Sequence, residues 1–471
     1  MEGESAKKNK TGVEALASRD SVAVLASAKG GLYIKTYGCQ MNVYDSLKLQ
    51  RILQDRYRMV GTPQCADLIL INTCAVRGKP EQKLYSLLGE LGPLKKKNPS
   101  LLIGVGGCVA QRQAEEILKR SWVVDFVFGT HNLSLVPSLI DLRQRGFPPQ
   151  AAVDYRADWE ALPLGFPAES GVSVPVAISR GCDNKCTFCV VPQARGRQVS
   201  RPAEEILREV RMAVSQGARE VVLLGQTVNS YGYDLRPRQS FVDLLHKVMA
   251  VDGLERIRFT SPHPKHVSLE FVQAMGSNEK ICRHIHLPLQ SGSDGVLKAM
   301  RRNYSRADYL HVVQMLKAHI PDLAITTDII VGFPGESEQD FEATLELMDL
   351  VQFDNSYSFV FSARPGTEAA AMVDTLPYAE KLSRLHVLQN KQEAITATRL
   401  KKWLGRRVEV LLEVQSSKTS PQWQGRTSQN FVLNIDTPAQ NLKAGLLVET
   451  QVTEVARFTL RGELTGIVRP C

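Results

Sequence analysis

The chain has 471 residues, 43% hydrophobic, 7% aromatic and 23% charged; that length predicts two to four domains at roughly 100–200 residues each, and the composition excludes wholesale disorder. No run approaches the roughly 18 uncharged apolar residues of a membrane helix. Fifty-eight basic against 49 acidic residues leave a net charge of +9, which suits an acidic partner such as nucleic acid but equally a solvated basic surface.

Residues 1–30 have no apolar core for a signal peptide. They carry Glu2, Glu4, Glu14 and Asp20, unlike an acid-poor transit peptide. The reading is a polar, mobile tail on a cytoplasmic protein. From 31 to 147, short apolar runs alternate with helical stretches. Strands are expected at Leu32–Tyr37, Leu68–Asn72, Leu101–Val105 and Val123–Phe128, and helices at Tyr44–Arg58, Glu81–Lys97 and Gln111–Lys119. This is an α/β pattern with a parallel sheet. Residues 148–173, rich in Pro, Ala and Gly, read as a linker whose Tyr155, Trp159 and Phe166 dock on a neighbour.

From 174 to 400 the alternation resumes on a longer period. Strands are expected at Val176–Ser179, Glu220–Leu224, Arg256–Thr260, His284–Leu287, Ala324–Val331 and Phe353–Phe361, with helices such as Ala203–Gln216 and Arg306–Ala318 between them. Six βα units suggest a partial (β/α) barrel. From 403 to 467, Arg406–Val414, Asn430–Ile435, Leu446–Val455 and Phe458–Leu464 read as strands of a small all-β, OB-like barrel. From Lys402 onward basic residues exceed acidic ones by only 9 to 6, too few to establish RNA binding.

The nine cysteines carry the sharpest signal. In a chain this long, disulfide staples are not needed, and clustered cysteines in a reducing compartment more often bind metal. Cys182, Cys186 and Cys189 form CxxxCxxC directly after an expected strand. Three thiolates on one tight loop can hold three irons of a 4Fe–4S cluster and leave the fourth open. Zinc, the rival, usually takes a second CxxC pair, and none lies nearby. Cys39, Cys74 and Cys108 lie 35 and 34 residues apart, each at a strand end with glycines beside two of them. Parallel strands deliver their carboxyl ends to one edge, where such sheets bind ligands, so these three should converge on a second site. The bland alternative is three independent buried cysteines. Cys65, Cys282 and Cys471 follow no pattern and read as structural or incidental.

With the segments TYGCQMNVYDS (36–46), NTCAVR (72–77), GCVAQR (107–112), RGCDNKCTFCVVP (180–192), RGR (195–197), LLGQTVNSYG (223–232), RFTSPHP (258–264), HLPLQSGS (286–293), MRRNYSR (300–306) and TDIIVGFPGES (327–337), the chain resembles the radical S-adenosylmethionine (radical SAM) methylthiotransferases. Among them it is most similar to the MiaB-type branch, the tRNA-2-methylthio-N(6)-dimethylallyladenosine synthases. The likeness runs from about Tyr33 to Val468, and QMNVYDS points to the tRNA branch. The branch usually has Asn where this chain has Thr227, and Gln193, Ala194, Gln198, Val199, Gly78 and Pro80 also depart from its pattern; no cysteine is touched.

The resemblance implies two 4Fe–4S clusters, one at Cys182, Cys186 and Cys189 and an auxiliary one at Cys39, Cys74 and Cys108, with no catalytic side chain beyond these ligands. It implies two uses of SAM: methylation of a sulfur associated with the auxiliary site, and a 5′-deoxyadenosyl radical that removes the hydrogen on carbon 2 of a modified adenine next to the anticodon. It further implies a TRAM domain near 403–467 that grips the tRNA anticodon stem-loop, and an external electron donor. The protein is expected to act as a monomer, away from membranes.

Candidate SAM residues are Gly225, Gln226 and Asn229 after the second barrel strand, and Ser261, Gln290 and Gly332 after later ones. Each is also readable as a polar cap or tight turn. Arg195, Arg197 and Arg201 are candidates to clamp tRNA phosphate, or one of them to pair with SAM, against a solvated basic helix start. His263, His266, His284 and His286 read as non-metal residues, since six cysteines already complete two sites. Competing substrates are threonylcarbamoyladenosine in tRNA and a ribosomal-protein aspartate. A different class is a non-catalytic iron–sulfur RNA-binding protein.

Overall fold

The computed structural model describes residues 29–75, 80–156, 159, 162–167, 170–416, 422–437 and 441–469. The amino-terminal tail up to residue 28, part of the NTCAVR segment with Gly78, and Cys471 lie outside the described residues. The chain divides into two compact units, Met1–Pro167 with Val190–Val199, and Ala168–Cys189 with Ser200–Cys471.

The first unit is built on β1 (Gly30–Thr36), α1 (Gln40–Leu53), β2 (Tyr57–Met59), β3 (Leu68–Thr73), α2 (Pro80–Lys97), β4 (Leu102–Gly106), α3 (Gly107–Arg120), β5 (Phe126–Phe128), α4 (Val136–Gln144) and β6 (Gln150–Ala152). All strand pairs are parallel, in the order β2-β1-β3-β4-β5-β6. Central strand β3 is buried along its whole length, as a strand covered on both faces must be. Its alternate residues serve two cores. Ile69 and Ile71 join Ile103, Val105 and Val127 on one face; Leu68 and Leu70 join Leu102, Phe126 and Phe128 on the other.

Several expected boundaries shift. The helix expected over Tyr44–Arg58 stops at Leu53, because Tyr57–Met59 pairs with Gly30–Leu32 as an edge strand. Val123 and Val124 are buried in a turn rather than in β5; the Asp125 carboxylate there accepts from the Ile103 amide at 2.8 Å and pairs with Lys95 and Arg143. The stretch read as a linker, 148–173, is corrected in part: its Gln150–Ala152 extends the sheet as a sixth strand. Farther on, the buried Lys48 ammonium donates to the Pro163 and Gly165 carbonyls, and Phe166 packs edge-on against Tyr44.

The second unit opens with β7 (Ser173–Ala177) and the two-residue strand β8 (Ser179–Arg180). The chain then passes through the five-residue helix α5 (Val191–Arg195), which belongs to the first unit, and the short β9 (Val199–Ser200), and the second unit continues through α6 (Ala203–Ser215), β10 (Glu220–Leu224), α7 (Phe241–Met249), β11 (Arg256–Phe259), α8 (Leu269–Ser277), β12 (His284–His286), α9 (Asp294–Ala299), α10 (Arg306–His319), β13 (Ala324–Val331), α11 (Glu338–Val351), β14 (Asn355–Val360) and α12 (Tyr378–Lys401). The six main strands form parallel triples, β7-β10-β11 and β12-β13-β14, joined by a parallel bridge between Ile257 and Ile281. That is the expected partial barrel. Ser–x–x–Asp capping boxes at Ser240, Ser305 and Ser337 start three of its helices.

The carboxyl-terminal strands β15 (Arg407–Ser416), β16 (Gln422–Thr427), β17 (Val432–Asp436), β18 (Leu447–Val455) and β19 (Leu460–Arg469) close a barrel in the order β15-β16-β17-β19-β18. Strand β16 escaped sequence reading because its inward positions are Trp423, Gly425 and Thr427, only one of them large and apolar. Two buried arginines of β11 bind this barrel. Arg256 donates to Glu409, and Arg258 donates to the Thr427 carbonyl at 2.6 Å and the Glu220 carboxylate at 2.8 Å.

Candidate functional site: two sets of three cysteines

In the first unit the order β2-β1-β3-β4 reverses direction between β1 and β3, the kind of crevice where open α/β sheets bind ligands outside their carboxyl ends. Cys39 and Cys74 flank that point, and Cys108 follows the next strand. The strands are in register, Thr36 opposite Asn72 and Asn72 opposite Gly106, so the three cysteines follow equivalent positions. Cys39 is the residue before α1, and Cys108 sits in the first turn of α3. Cys74 and Cys108 are buried, and Cys39 is partly exposed.

Glycines make the approach possible. Gly38 has φ +106°, and a Cβ there would come within 2.6 Å of the Cys74 Sγ and closer still to its Cβ. Gly107, at φ +90°, lies against the Thr73 backbone, where a Cβ has no room.

One cation serves this set. The Arg195 guanidinium, 4% exposed, donates to Asn42 Oδ1 at 2.8 Å and to Asp45 Oδ2 at 2.9 Å. Burial works against its charge, but Cys108, Asp45 and Cys39 outweigh burial and hold it above the usual arginine range. The Cys39 thiol is pushed up by its hydrogen bond with Cys74 and by burial, and the Cys108 thiol by burial; Arg195 pulls both back.

In the second unit Gly181, at φ +74°, turns the chain out of β8 into the cysteine loop. Asn184 donates twice to Cys182 Sγ, through its backbone and its side-chain amide, both at 3.4 Å, and Thr227 Oγ1 lies 3.5 Å from the same sulfur. Thr227, one of the residues in which this chain departs from the family pattern, thus stands against a cysteine sulfur, although no cysteine is itself replaced. Thr187 anchors the loop, donating from Oγ1 to Ala299 O at 3.0 Å and accepting from the Ala369 amide at 2.9 Å. Phe188 packs against the core of Val296, Met300, Phe333, Phe361 and Ala369.

Arg302, not singled out from sequence, donates to Cys186 Sγ at 3.4 Å, to the Pro288 carbonyl at 3.4 Å and to Tyr304 Oη at 3.1 Å. Burial opposes its charge, while Tyr304 and Cys186 raise its pKa. Its turn is unusual, Arg301 and Asn303 on either side both taking positive φ, 55° and 57°.

The SAM candidates all lie at the carboxyl ends of barrel strands. Gly225 abuts Ser179, where a Cβ would stand 2.6 Å from Oγ. Buried Ser179 Oγ and Gln226 Oε1 have no hydrogen-bond partner among the described residues, so two polar atoms remain there for a ligand. Asn229 is committed to the fold, bridging to the His263 amide and carbonyl at 2.8 and 3.0 Å. Ser261 and Gln290 take φ +58° and +72°. Gly332, at φ +68°, donates its amide to Glu336 Oε1 at 2.8 Å.

Both donor sets suit an iron–sulfur cluster by chemistry: three thiols, a cation beside them and, in the first unit, a glycine-lined cradle. Among the described residues no three His, Cys, Asp or Glu side chains are grouped as around a single metal ion. A four-iron cluster instead spreads its thiolates, one per iron.

Family models match the chain in three places: the uncharacterized protein family UPF0004 at 31–129, the radical SAM superfamily at 176–348 and the TRAM domain at 401–465. The tRNA-2-methylthio-N(6)-dimethylallyladenosine synthase of Geobacter sulfurreducens is 44% identical over 437 residues, 92% of this chain and 97% of that protein. The synthases of the same name from Nitrosospira multiformis and Carboxydothermus hydrogenoformans are each 43% identical, covering 92% and 93% of this chain and 92% and 100% of their own lengths. The chain belongs to the tRNA-2-methylthio-N(6)-dimethylallyladenosine synthase family. Among solved structures, the radical SAM methyltransferase TsrM of Kitasatospora setae shares the fold, with a TM-score of 0.53 at 13% identity over 73% of this chain and 74% of that one.

Within this synthase-family chain the arginine expectation is corrected. Arg195 and Arg201 are both 4% exposed. Arg195 is held as above, and Arg201 is bound by Glu209 and Glu205. A guanidinium buried against carboxylates is not presented to phosphate. Arg197 is exposed. His284 and His286 both hydrogen-bond Thr326 Oγ1, at 3.1 and 3.0 Å, and His286 pairs with Asp328. Burial and the nearby Arg258 hold the His284 pKa well down; burial, Arg302 and His266 push that of His263 down to about 2. Cys65 is exposed. Cys282 is buried, and its thiol is pushed up to about 11 by burial.

Proposed function

We propose that this radical SAM enzyme methylthiolates carbon 2 of N(6)-dimethylallyladenosine beside the tRNA anticodon, with one cluster at Cys182, Cys186 and Cys189 and a second at Cys39, Cys74 and Cys108. The observation that carries the reading is the near full-length likeness to synthases of that name together with two distinct three-cysteine sets. Bound at the two sets, the clusters and SAM supply a 5′-deoxyadenosyl radical for hydrogen removal and a sulfur that carries the methyl group. A ring-carbon hydrogen is not acidic enough for a side-chain base, so the protein's task is to hold, orient and exclude water.

Ser179, Gly225 and Gln226 offer polar atoms and backbone space for the methionine part of SAM, and Gln290 and Gly332 line later strand ends. Asn229 shapes that rim from behind. Arg302 steadies the Cys186 side of the loop, and Asn184 and Thr227 the Cys182 side. The carboxyl-terminal barrel, at the TRAM match, is the candidate tRNA grip, with Arg197 a further exposed cation. The target base must leave the loop stack to be reached. We place the enzyme in the cytoplasm as a monomer served by an external electron donor; among the described residues no helix is long and apolar enough to cross a membrane.

The deciding experiment supplies anaerobically reconstituted enzyme, SAM and a strong reductant with two tRNAs, one carrying the dimethylallyl group and one without it, and measures modified nucleosides by mass spectrometry. Product only from the first supports the reading. Equal methylthiolation of the second contradicts the substrate, and absence of 5′-deoxyadenosine contradicts the enzyme class.

A further inference from the structure

Arg195 stands in the first unit among residues of quite different sequence origin. Its guanidinium reaches Asn42 and Asp45 of α1, the Asn and Asp of QMNVYDS. Asn42 is wholly buried and itself fixed, its amide donating to the Tyr37 and Thr73 carbonyls at 2.9 and 2.8 Å, and its carbonyl accepting from Asn72 at 2.8 Å. The arginine backbone is fixed too. His131 Nε2 bonds its carbonyl at 3.0 Å, Thr130 Oγ1 donates to the Ala194 carbonyl at 2.8 Å, and the Tyr155 hydroxyl donates to Gln193 O. Val190 and Ala194 complete the attachment by joining the sheet's apolar core.

A buried arginine fixed at both ends is costly unless its charge has a use. Asp45 balances it before loading. Three cysteines that become thiolates then add negative charge in a site with little access for water, where such charge is expensive.

We propose that Arg195, clamped by Asn42 and Asp45, is the positioning charge of the Cys39–Cys74–Cys108 site, strengthening its hold on an iron–sulfur cluster and raising the reduction potential of that cluster. The proposal rests on the reading that these cysteines carry a cluster. It gives QMNVYDS a physical role: Asn42 Oδ1 accepts from the Arg195 guanidinium at 2.8 Å and from the Cys39 Sγ at 3.9 Å, and with Asp45 it holds the charge beside the cysteines.

The test uses the full chain with Cys182, Cys186 and Cys189 replaced by alanine, so that only this site takes iron. Iron content is measured after anaerobic reconstitution, followed by a reductive titration read by electron paramagnetic resonance. Arg195→Gln should hold iron less tightly and reduce less readily, by at least tenfold in the reduced-to-oxidised ratio at a fixed poise, 59 mV for one electron. Asp45→Asn, which removes the opposing charge but keeps the side-chain shape, should shift the ratio the other way. Arg195→Lys should stay nearer the parent. Unchanged ratios, or shifts of one sign in both Arg195→Gln and Asp45→Asn, would overturn the proposal. If Arg195→Gln takes up no iron, the opposed shift in Asp45→Asn and the near-parent Arg195→Lys still decide. No iron in the parent would instead sink the cluster reading.

Discussion

Cys182, Cys186 and Cys189 lie within eight residues on one loop, whereas Cys39, Cys74 and Cys108 come from three strand ends 35 and 34 residues apart. The loop brings its ligands together by local turns, steadied by Asn184, Thr187 and Arg302. The distributed set depends on strand register, on glycines that have no room for a side chain, and on a guanidinium from outside the sheet. A local site should therefore survive strain elsewhere in its unit. A distributed site should fail whenever the sheet edge shifts.

Gly38→Ala is the hardest blow to the distributed site, since the new Cβ would overlap Cys74 and φ +106° is unfavourable for alanine. Iron at the auxiliary cysteines and methylthiolated nucleoside should both fall below detection, while 5′-deoxyadenosine still forms. Retained product would break the contrast. Arg258→Ala strikes the other unit outside its cysteine loop and leaves the buried Glu220 with the Ser173 hydroxyl but without its ion-pair partner. A loss of about 3–5 kcal/mol in denaturant stability is expected, yet below the transition the loop should still take up iron. Loss of loop iron in protein that remains folded would mean that this site, too, depends on distant packing.

Arg302→Gln removes a charged donor from Cys186 Sγ. At about 1.5–3 kcal/mol for such a bond, the rate of 5′-deoxyadenosine formation should drop roughly ten- to hundredfold, with auxiliary iron unchanged. An unaltered rate would leave Arg302 a mere prop. The smallest effect is on acid stability. His263 stays neutral in the fold, its pKa pushed down to about 2 by burial, Arg302 and His266, while the unfolded side chain takes a proton near pH 6.5. Stability is thus full above about pH 6.5 and falls as pH drops below it, by up to about 1.4 kcal/mol per pH unit from this residue. The acid limb of an unfolding curve should flatten in His263→Gln, and an identical limb would contradict the assignment.

The same contrast explains what was legible beforehand. CxxxCxxC announces itself because its spacing is the geometry. The distributed cysteines could be read because β1, β3 and β4 have apolar runs that mark each strand end, and Glu220–Leu224 and Ala324–Val331 were placed to the residue for the same reason. Elements whose stability comes from partners were hidden. Tyr57–Met59 and Gln150–Ala152 are short edge strands, and Gln422–Thr427 fills a barrel with Trp, Gly and Thr. Arg195 and Arg201 looked like surface cations because charge in a sequence says nothing of the carboxylate that will bury it; Asp45 lies 150 residues from Arg195. Arg302 stood inside a recognised segment, but its meeting with Cys186 spans 116 residues.

The claim that two separate cysteine sets each hold a cluster is tested most directly by iron and sulfide analysis of anaerobically reconstituted protein, parent against a Cys39→Ala, Cys74→Ala, Cys108→Ala variant. About eight irons per chain falling to about four is expected for two clusters of the 4Fe–4S type. An unchanged iron count in the variant would contradict it.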